Sequence, residues 1–175
     1  MASQYELDHL YMKMALVMTT ISKSNRDSVG ALGVTLNGVL LTGVNGLPKE
    51  LGNNLEYEGY GSVDLDGFIS DRSTIIDHTK QLKYVMVPVP DFRLITKVET
   101  IHAELNVILK AAREGVSIIG STIYTTLSPC VHCAAMLIAA GVRRVVYLNT
   151  YRITTGIDIL KQSGIIVDKL EFGMV

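Results

Sequence analysis

From residue 101 onward the chain repeats one pattern: a helix-period stretch, a glycine, then a β-branched run. Residues 101–114 place Ile101, Leu105, Ile108 and Ala112 at helical spacing as a buried stripe and stop at Gly115. Residues 121–126 read as a strand and 131–140 as a small-residue helix before Gly141. Residues 143–148 read as another strand, 155–163 as a helix before Gly164, and 165–167 as a short last strand. Strands alternating with helices imply parallel crossovers with the helices laid against the sheet. Upstream, residues 29–36 and 39–44 are two apolar runs joined by Asn37-Gly38, a pair favoured in type I′ hairpins because both central positions need positive φ. They predict an antiparallel pair. The expectation is an α/β fold, a three-layer α/β/α sandwich around a mixed five-stranded sheet.

The segments around this frame are less regular. Ser3 and Glu6 form a capping box, and Leu7, Leu10, Tyr11, Met14, Val17, Met18 and Ile21 then fall on one helical face, predicting a first helix packed through that face. Residues 22–28 are polar and turn-like. Gly43-Val44-Asn45-Gly46-Leu47-Pro48 sets Asn45 on a tight loop. Residues 50–100 read as an insertion within one domain spanning 1–175, with a helix over 74–84 and an extended proline stretch over 85–90.

Charge narrows the function classes. Lys plus Arg number 16 against 17 Asp plus Glu, without the basic excess by which phosphate-backbone binders gain affinity, so a nucleic-acid polymer is disfavoured as partner. No apolar run reaches the roughly 20 residues that cross a bilayer, and residues 1–6 lack the features of a signal peptide. The expectation is a soluble cytoplasmic protein, in the host cytoplasm if the chain is viral. The two cysteines, Cys130 and Cys133, are three apart, a spacing of metal ligands or redox groups more than of a structural staple.

Those cysteines follow Pro129, which fits a helix's first position, and a helix N-terminus favours thiolates. His102 and Glu104 stand two apart at another helix start, where their side chains diverge by about 200° at roughly 100° per residue. His102, Cys130 and Cys133 offer three zinc ligands and leave a fourth tetrahedral position for water, the mark of a catalytic centre. Glu104 is left to move protons. Alone, a Cys-x-x-Cys pair is often redox-active or structural, and His-x-Glu means little; the two together, each opening a helix, point to metal-dependent hydrolysis.

With His102-Ala103-Glu104-Leu105-Asn106 and Ser128-Pro129-Cys130-Val131-His132-Cys133, the chain resembles the zinc-dependent cytidine and deoxycytidylate deaminase superfamily. It is most similar to the deoxycytidylate branch and to its phage members, over residues 29–48 and 101–167. The Gly43–Pro48 loop and Ser24-Asn25-Arg26 before Val29-Gly30-Ala31 also resemble that branch. The resemblance implies hydrolysis of dCMP to dUMP and ammonia, supplying dUMP for dTMP synthesis. An activated water attacks C4 while Glu104 protonates N3 and then the leaving amine.

It further implies that Asn45 binds the sugar, the backbone of Ala103 the base edge and the carbonyl of Ser128 the departing amino group. Arg26 belongs to the substrate side, and Tyr151-Arg152 hold the 5′-phosphate, a solvated loop edge being the plainer reading of that pair. The helix start at Thr154-Thr155-Gly156 could add N–H donors. Relatives of this kind are homohexamers activated by dCTP and inhibited by dTTP, with Mg2+ accompanying a triphosphate effector. Gly43, Gly46, Lys49 and Arg113 are the corresponding effector candidates, although Arg113 lies about 16 Å along the helix from His102 and reads equally well as a helix-end cation. With no cysteines beyond the pair, one zinc per subunit is expected. His132 reads as an exposed side chain. Deamination of cytidine, dCTP or a tRNA base stays open as an alternative, as does a zinc-stabilised module without catalysis.

Overall fold

A computed structural model describes residues 2–57 and 95–172. Its central sheet has the order β2-β1-β5-β6-β7. The strands are β1 (Gly30–Val34), β2 (Leu40–Val44), β5 (Thr122–Leu127), β6 (Arg144–Asn149) and β7 (Ile166–Lys169). β1 runs antiparallel to both β2 and β5, and β5, β6 and β7 are mutually parallel. The sheet is therefore mixed, as the sequence predicts.

Helix α1 (Gln4–Thr19) covers one face and meets Leu32, Tyr124 and Val146. The other face carries α2 (Ala103–Glu114), α3 (Val131–Ala139) and α4 (Thr155–Gln162) on a core that includes Ala31, Val107, Ile123, Leu137, Val145 and Leu160. Neighbouring residues on β5 and β6 thus point to opposite layers, Ile123 and Val145 to one and Tyr124 and Val146 to the other, the period-two rule of a strand. Three layers result, as expected.

Several local expectations are corrected. The capping box of α1 forms, with the Glu6 carboxylate accepting from the Ser3 N–H at 2.7 Å. Its buried face, however, is Asp8, Met12 and Ala15, whereas Leu10, Val17 and Ile21 are exposed. Apolar residues occur on most sides of this helix, so periodicity does not choose the face. Contacts from the sheet choose it: a Cβ on Gly30 would lie 2.0 Å from the Ala15 carbonyl oxygen, so only glycine lets α1 settle there. For α2 the buried residues are Ala103, Glu104, Val107 and Ala111, not the stripe of Ile101, Leu105, Ile108 and Ala112. Gly43 admits the Ala103 carbonyl in the same way.

The β1–β2 connection is not a two-residue type I′ turn. Asn37 keeps negative φ and only Gly38 is positive, at 78°. The Thr35 N–H bonds to the Val39 carbonyl and the Gly38 N–H to that of Thr35, the longer hairpin loop that ends on a left-handed glycine. Beyond β2, Lys49–Leu51 make a 3-10 turn, and β3 (Glu56–Tyr57) pairs antiparallel with β4 (Ile95–Thr96). This two-stranded ladder has no sequence signature. The helix predicted over 74–84 and the proline stretch over 85–90 lie outside the described residues.

Candidate active site

Strand direction gathers the chemistry at one edge of the sheet. Parallel strands β5 and β6 both end there, at Leu127 and Asn149, which are register partners. Because β1 and β2 are antiparallel, the start of β1 at Gly30 and the end of β2 at Val44 lie at that same edge. Five segments therefore meet: residues 22–29, 45–48, 128–130, 150–154 and the start of α2. This is the crevice beyond the carboxyl ends of parallel strands where α/β folds bind ligands.

His102 and Cys130 are the N-cap residues of α2 and α3, with extended ψ of 158° and 171°. Pro129 thus stands just outside its helix, and not at the first helical position. As an N-cap, His102 also lies outside the helical wheel, so the angle expected between it and Glu104 does not apply. The His102 Nδ1 atom is 3.5 Å from Cys130 Sγ and 3.3 Å from Cys133 Sγ. All three ligand atoms fall within 4.8 Å of one another. A tetrahedral zinc with its usual bond lengths separates nitrogen from sulfur ligands by roughly 3.5 Å, so the set fits this ion.

The electrostatics suit a metal too. Hydrogen bonds from Cys133 and from His102 push the Cys130 thiol down to about 3, against the effect of burial. Cys133, the donor in that pair and buried, is pushed up, and the His102 imidazole is raised mainly by its bond to Cys130. Two sulfurs and an imidazole thus lie within proton-sharing distance of one another, where a divalent cation could replace the protons.

Glu104 is buried, 3% exposed, and burial raises its carboxyl above the ordinary value. It borders a cavity of about 320 Å³ together with His102 and Cys130. Arg26, Tyr151 and Arg152 line the same cavity. Two of the three candidate metal ligands, a buried carboxyl group and two arginines therefore share one pocket.

The sequence profile of the cytidine and deoxycytidylate deaminase zinc-binding region matches residues 5–149. The chain belongs to this deaminase family. It is 34% identical over 168 residues to the deoxycytidylate deaminase of Enterobacteria phage T2, covering 88% of this chain and 87% of the relative. The deoxycytidylate deaminase of Mycobacterium phage D29 is 30% identical over 146 residues, 83% of this chain and 96% of that one. A solved structure of cyanophage S-TIM5 dCMP deaminase, in complex with dCMP and dUMP, superposes with a TM-score of 0.72. It is 34% identical, over 97% of this chain and 100% of the other. The chain is accordingly a zinc-dependent hydrolytic deaminase with the family's fold.

In this deaminase the other expected site residues separate into two groups. Arg26, Asn45, Ser128, Tyr151 and Arg152 do converge on the cavity. Tyr151 is held by its N–H, which donates to the Ser128 hydroxyl at 2.8 Å, and the Arg152 guanidinium lies 5.6 Å from the Tyr151 ring centre. Ala103 is fully buried. Asn45 is more committed than expected: its side-chain oxygen accepts from the Ser22 hydroxyl at 2.7 Å and the Val29 N–H at 3.0 Å, while its amide donates to the Asp27 carbonyl at 2.7 Å. It holds the 22–29 loop in shape.

The effector candidates are scattered. Gly43 lies under α2, where a Cβ would come within 2.1 Å of the Ala103 carbonyl, so packing accounts for it. Gly46 exchanges two backbone hydrogen bonds with Ile101 and fixes the residue before His102. Lys49 is in the 3-10 turn, and Arg113 is exposed at the end of α2, 4.0 Å from Glu114. His132 is exposed, as predicted. Among the described residues, His102, Cys130 and Cys133 are the one group that could hold a metal. Sequence reasoning missed Asp27, Val29, Thr96 and Leu127, which also line the cavity. Val29 stands in the Val29-Gly30-Ala31 run already noted, without a role assigned to it; the other three carry no motif and are brought in by the neighbours they follow or pair with.

Proposed function

We propose that this deaminase converts dCMP and water to dUMP and ammonia. The observation that carries the substrate is the pair Arg26 and Arg152 in the same cavity as Glu104 and the ligand set. Guanidinium groups match a phosphate with paired, charge-assisted hydrogen bonds, a group that a free nucleoside lacks. The cyanophage relative, whose structure contains dCMP and dUMP, supports the same substrate.

Zinc, when held by His102, Cys130 and Cys133, supplies a Lewis acid that lowers the pKa of a water in the open position. Glu104, buried on the same cavity, would take a proton from the attacking water and deliver it to N3 of the pyrimidine. The water oxygen would bond to C4 as N3 gains that proton; Glu104 would then carry the hydroxyl proton to the amine, and the C4–N bond would break to leave the C4 carbonyl and ammonia. Ala103 offers backbone groups to the base edge and Ser128 its carbonyl to the amino group. Asn45 and the loop it holds face the sugar, and Tyr151 with Arg152 and Arg26 takes the phosphate. A panel of dCMP, cytidine, deoxycytidine, dCTP and a tRNA anticodon stem tests this. Turnover highest on dCMP is expected; turnover confined to another member would overturn the assignment.

The family resemblance extends the reading to the enzyme's setting. In our reading it is a homohexamer in the cytoplasm that feeds dUMP to dTMP synthesis, activated by dCTP and inhibited by dTTP with Mg2+ accompanying the triphosphate. Gly46 and Lys49, beside the Asn45 loop, and Arg113, exposed on α2, are its effector-side residues. Gly43 is set aside because packing already explains it.

A further inference from the structure

We infer that Glu56, in the short β3–β4 ladder, is the positioning residue that sets the phosphate-side wall of the pocket through the loop of residues 22–29. Glu56 does not line the cavity, and it is 1% exposed. Its Oε1 accepts from the Ser24 hydroxyl at 2.6 Å and from the Asn25 N–H at 3.1 Å. The same Ser24 oxygen accepts from the N–H groups of Arg26 and Asp27, at 3.3 and 3.2 Å. Since the carboxylate takes the hydroxyl hydrogen, the oxygen's two lone pairs are turned toward those two N–H groups. A chain of bonds thus runs from Glu56 through Ser24 to the backbone of the residues that present Arg26 and Asp27 to the cavity.

The loop's shoulders are held by Asn45, which reaches Ser24 only through Ser22, whose hydroxyl oxygen accepts from the Ser24 N–H at 3.2 Å. Asn45 bonds Ser22, Asp27 and Val29, as described above, and touches neither Ser24 nor Asn25 in that role. Glu56 therefore fixes the crest and Asn45 the base. The second oxygen of Glu56 is buried with no partner among the described residues. Burying an incompletely bonded carboxylate is unfavourable, and an apolar side chain in that place would be easier to bury. What the carboxylate contributes is the geometry of the loop. Its register partner on β4, Thr96, itself lines the cavity, so the two strands flanking residues 58–94 brace the pocket on the substrate side.

This inference rests on the dCMP reading, and the experiment separates the two. Steady-state kinetics on dCMP, zinc content and backbone amide exchange are measured for the parent and for Glu56→Ala, Glu56→Gln and Ser24→Ala. Glu56→Ala is expected to raise KM about 10-fold while kcat stays within about 3-fold, because it removes binding geometry and no reacting group. Zinc stoichiometry is unchanged. Glu56→Gln keeps an acceptor oxygen and restores most of the loss. Ser24→Ala raises KM in the same sense without emptying a buried site, which keeps the test open should Glu56→Ala fold poorly. Exchange at Arg26 and Asp27 accelerates in both alanine variants and at Asn25 in Glu56→Ala, while Val29, held by Asn45, stays protected. Unchanged KM in Ser24→Ala, or a joint loss of kcat, KM and zinc in Glu56→Ala that glutamine does not rescue, would overturn the role. A parent protein inactive on dCMP would defeat the substrate reading alone, and the exchange rates at Asn25 would still decide whether Glu56 holds the loop.

Discussion

At the scale of single residues, His102 and Glu104 show how two positions two apart acquire different work. His102 is an N-cap and turns its Nδ1 toward the cysteine sulfurs, whereas Glu104 lies inside the first helical turn and is buried. Their types and spacing announce a metal and a proton carrier, so this part of the site was legible in the sequence. Their orientation was not, because the N-cap assignment depends on backbone angles that no residue type dictates. Replacing Glu104 with Gln is expected to retain one zinc per chain and to lower kcat by about 10²-fold or more, since proton transfer is lost while the ligand set is kept. Metal analysis beside kinetics checks both halves. Cys130→Ser is expected to lose zinc under mild chelation, because one of the two sulfur ligands is gone.

Among elements, the placement of the helix starts depends on glycines. A Cβ on Gly156, at the start of α4, would lie 2.1 Å from the Pro129 carbonyl oxygen and 2.9 Å from the Cys130 carbonyl carbon. Backbone atoms cannot yield as a side-chain tip can, so the cysteine loop itself must move. Gly30 is equally tight, at 2.0 Å from the Ala15 carbonyl oxygen, but it faces α1 on the other side of the sheet. Gly156→Ala is therefore expected to weaken zinc binding about 10-fold or more in a chelator competition. Gly30→Ala should lower the melting temperature through an overpacking cost of about 1–3 kcal/mol and leave zinc affinity near the parent's. Equal zinc loss in both variants would show that the metal site reports only on general stability. The types and order of the central strands and their helices were legible from periodicity and glycine punctuation, whereas the 3-10 turn and the β3–β4 ladder were not. The buried faces of α1 and α2 were not, because Gly30 and Gly43 select them by allowing close backbone approach, a relation between distant residues.

Across the whole molecule, the layer opposite the active site is tied by one ionic cluster. The Asp8 carboxylate accepts two bonds from Arg144, both at 2.8 Å, and one from the Tyr124 hydroxyl at 2.7 Å, and Arg144 also donates to Asp168 at 2.7 Å. It joins α1 to β5, β6 and β7. Burial pushes the Asp8 carboxyl up, but the bonds from Arg144, Tyr124 and Gln4 outweigh it and leave it below the ordinary value. A folded value below the unfolded one, about 3.9, means the cluster stabilises fully above that pH and loses its contribution as pH falls through the folded value. Asp8→Asn should lower thermal stability near neutrality and flatten its decline toward about pH 3, which melts across that range would reveal. Nothing near Asp8 in the sequence hints at Arg144, and an acidic residue on a helix is ordinarily read as solvated. Zinc-dependent deamination of dCMP is tested by following dUMP formation by metal-stripped protein before and after one equivalent of zinc. Activity absent without the metal, restored by it and greater on dCMP than on cytidine or dCTP is predicted; dCMP left unchanged by the zinc-loaded protein would contradict the account.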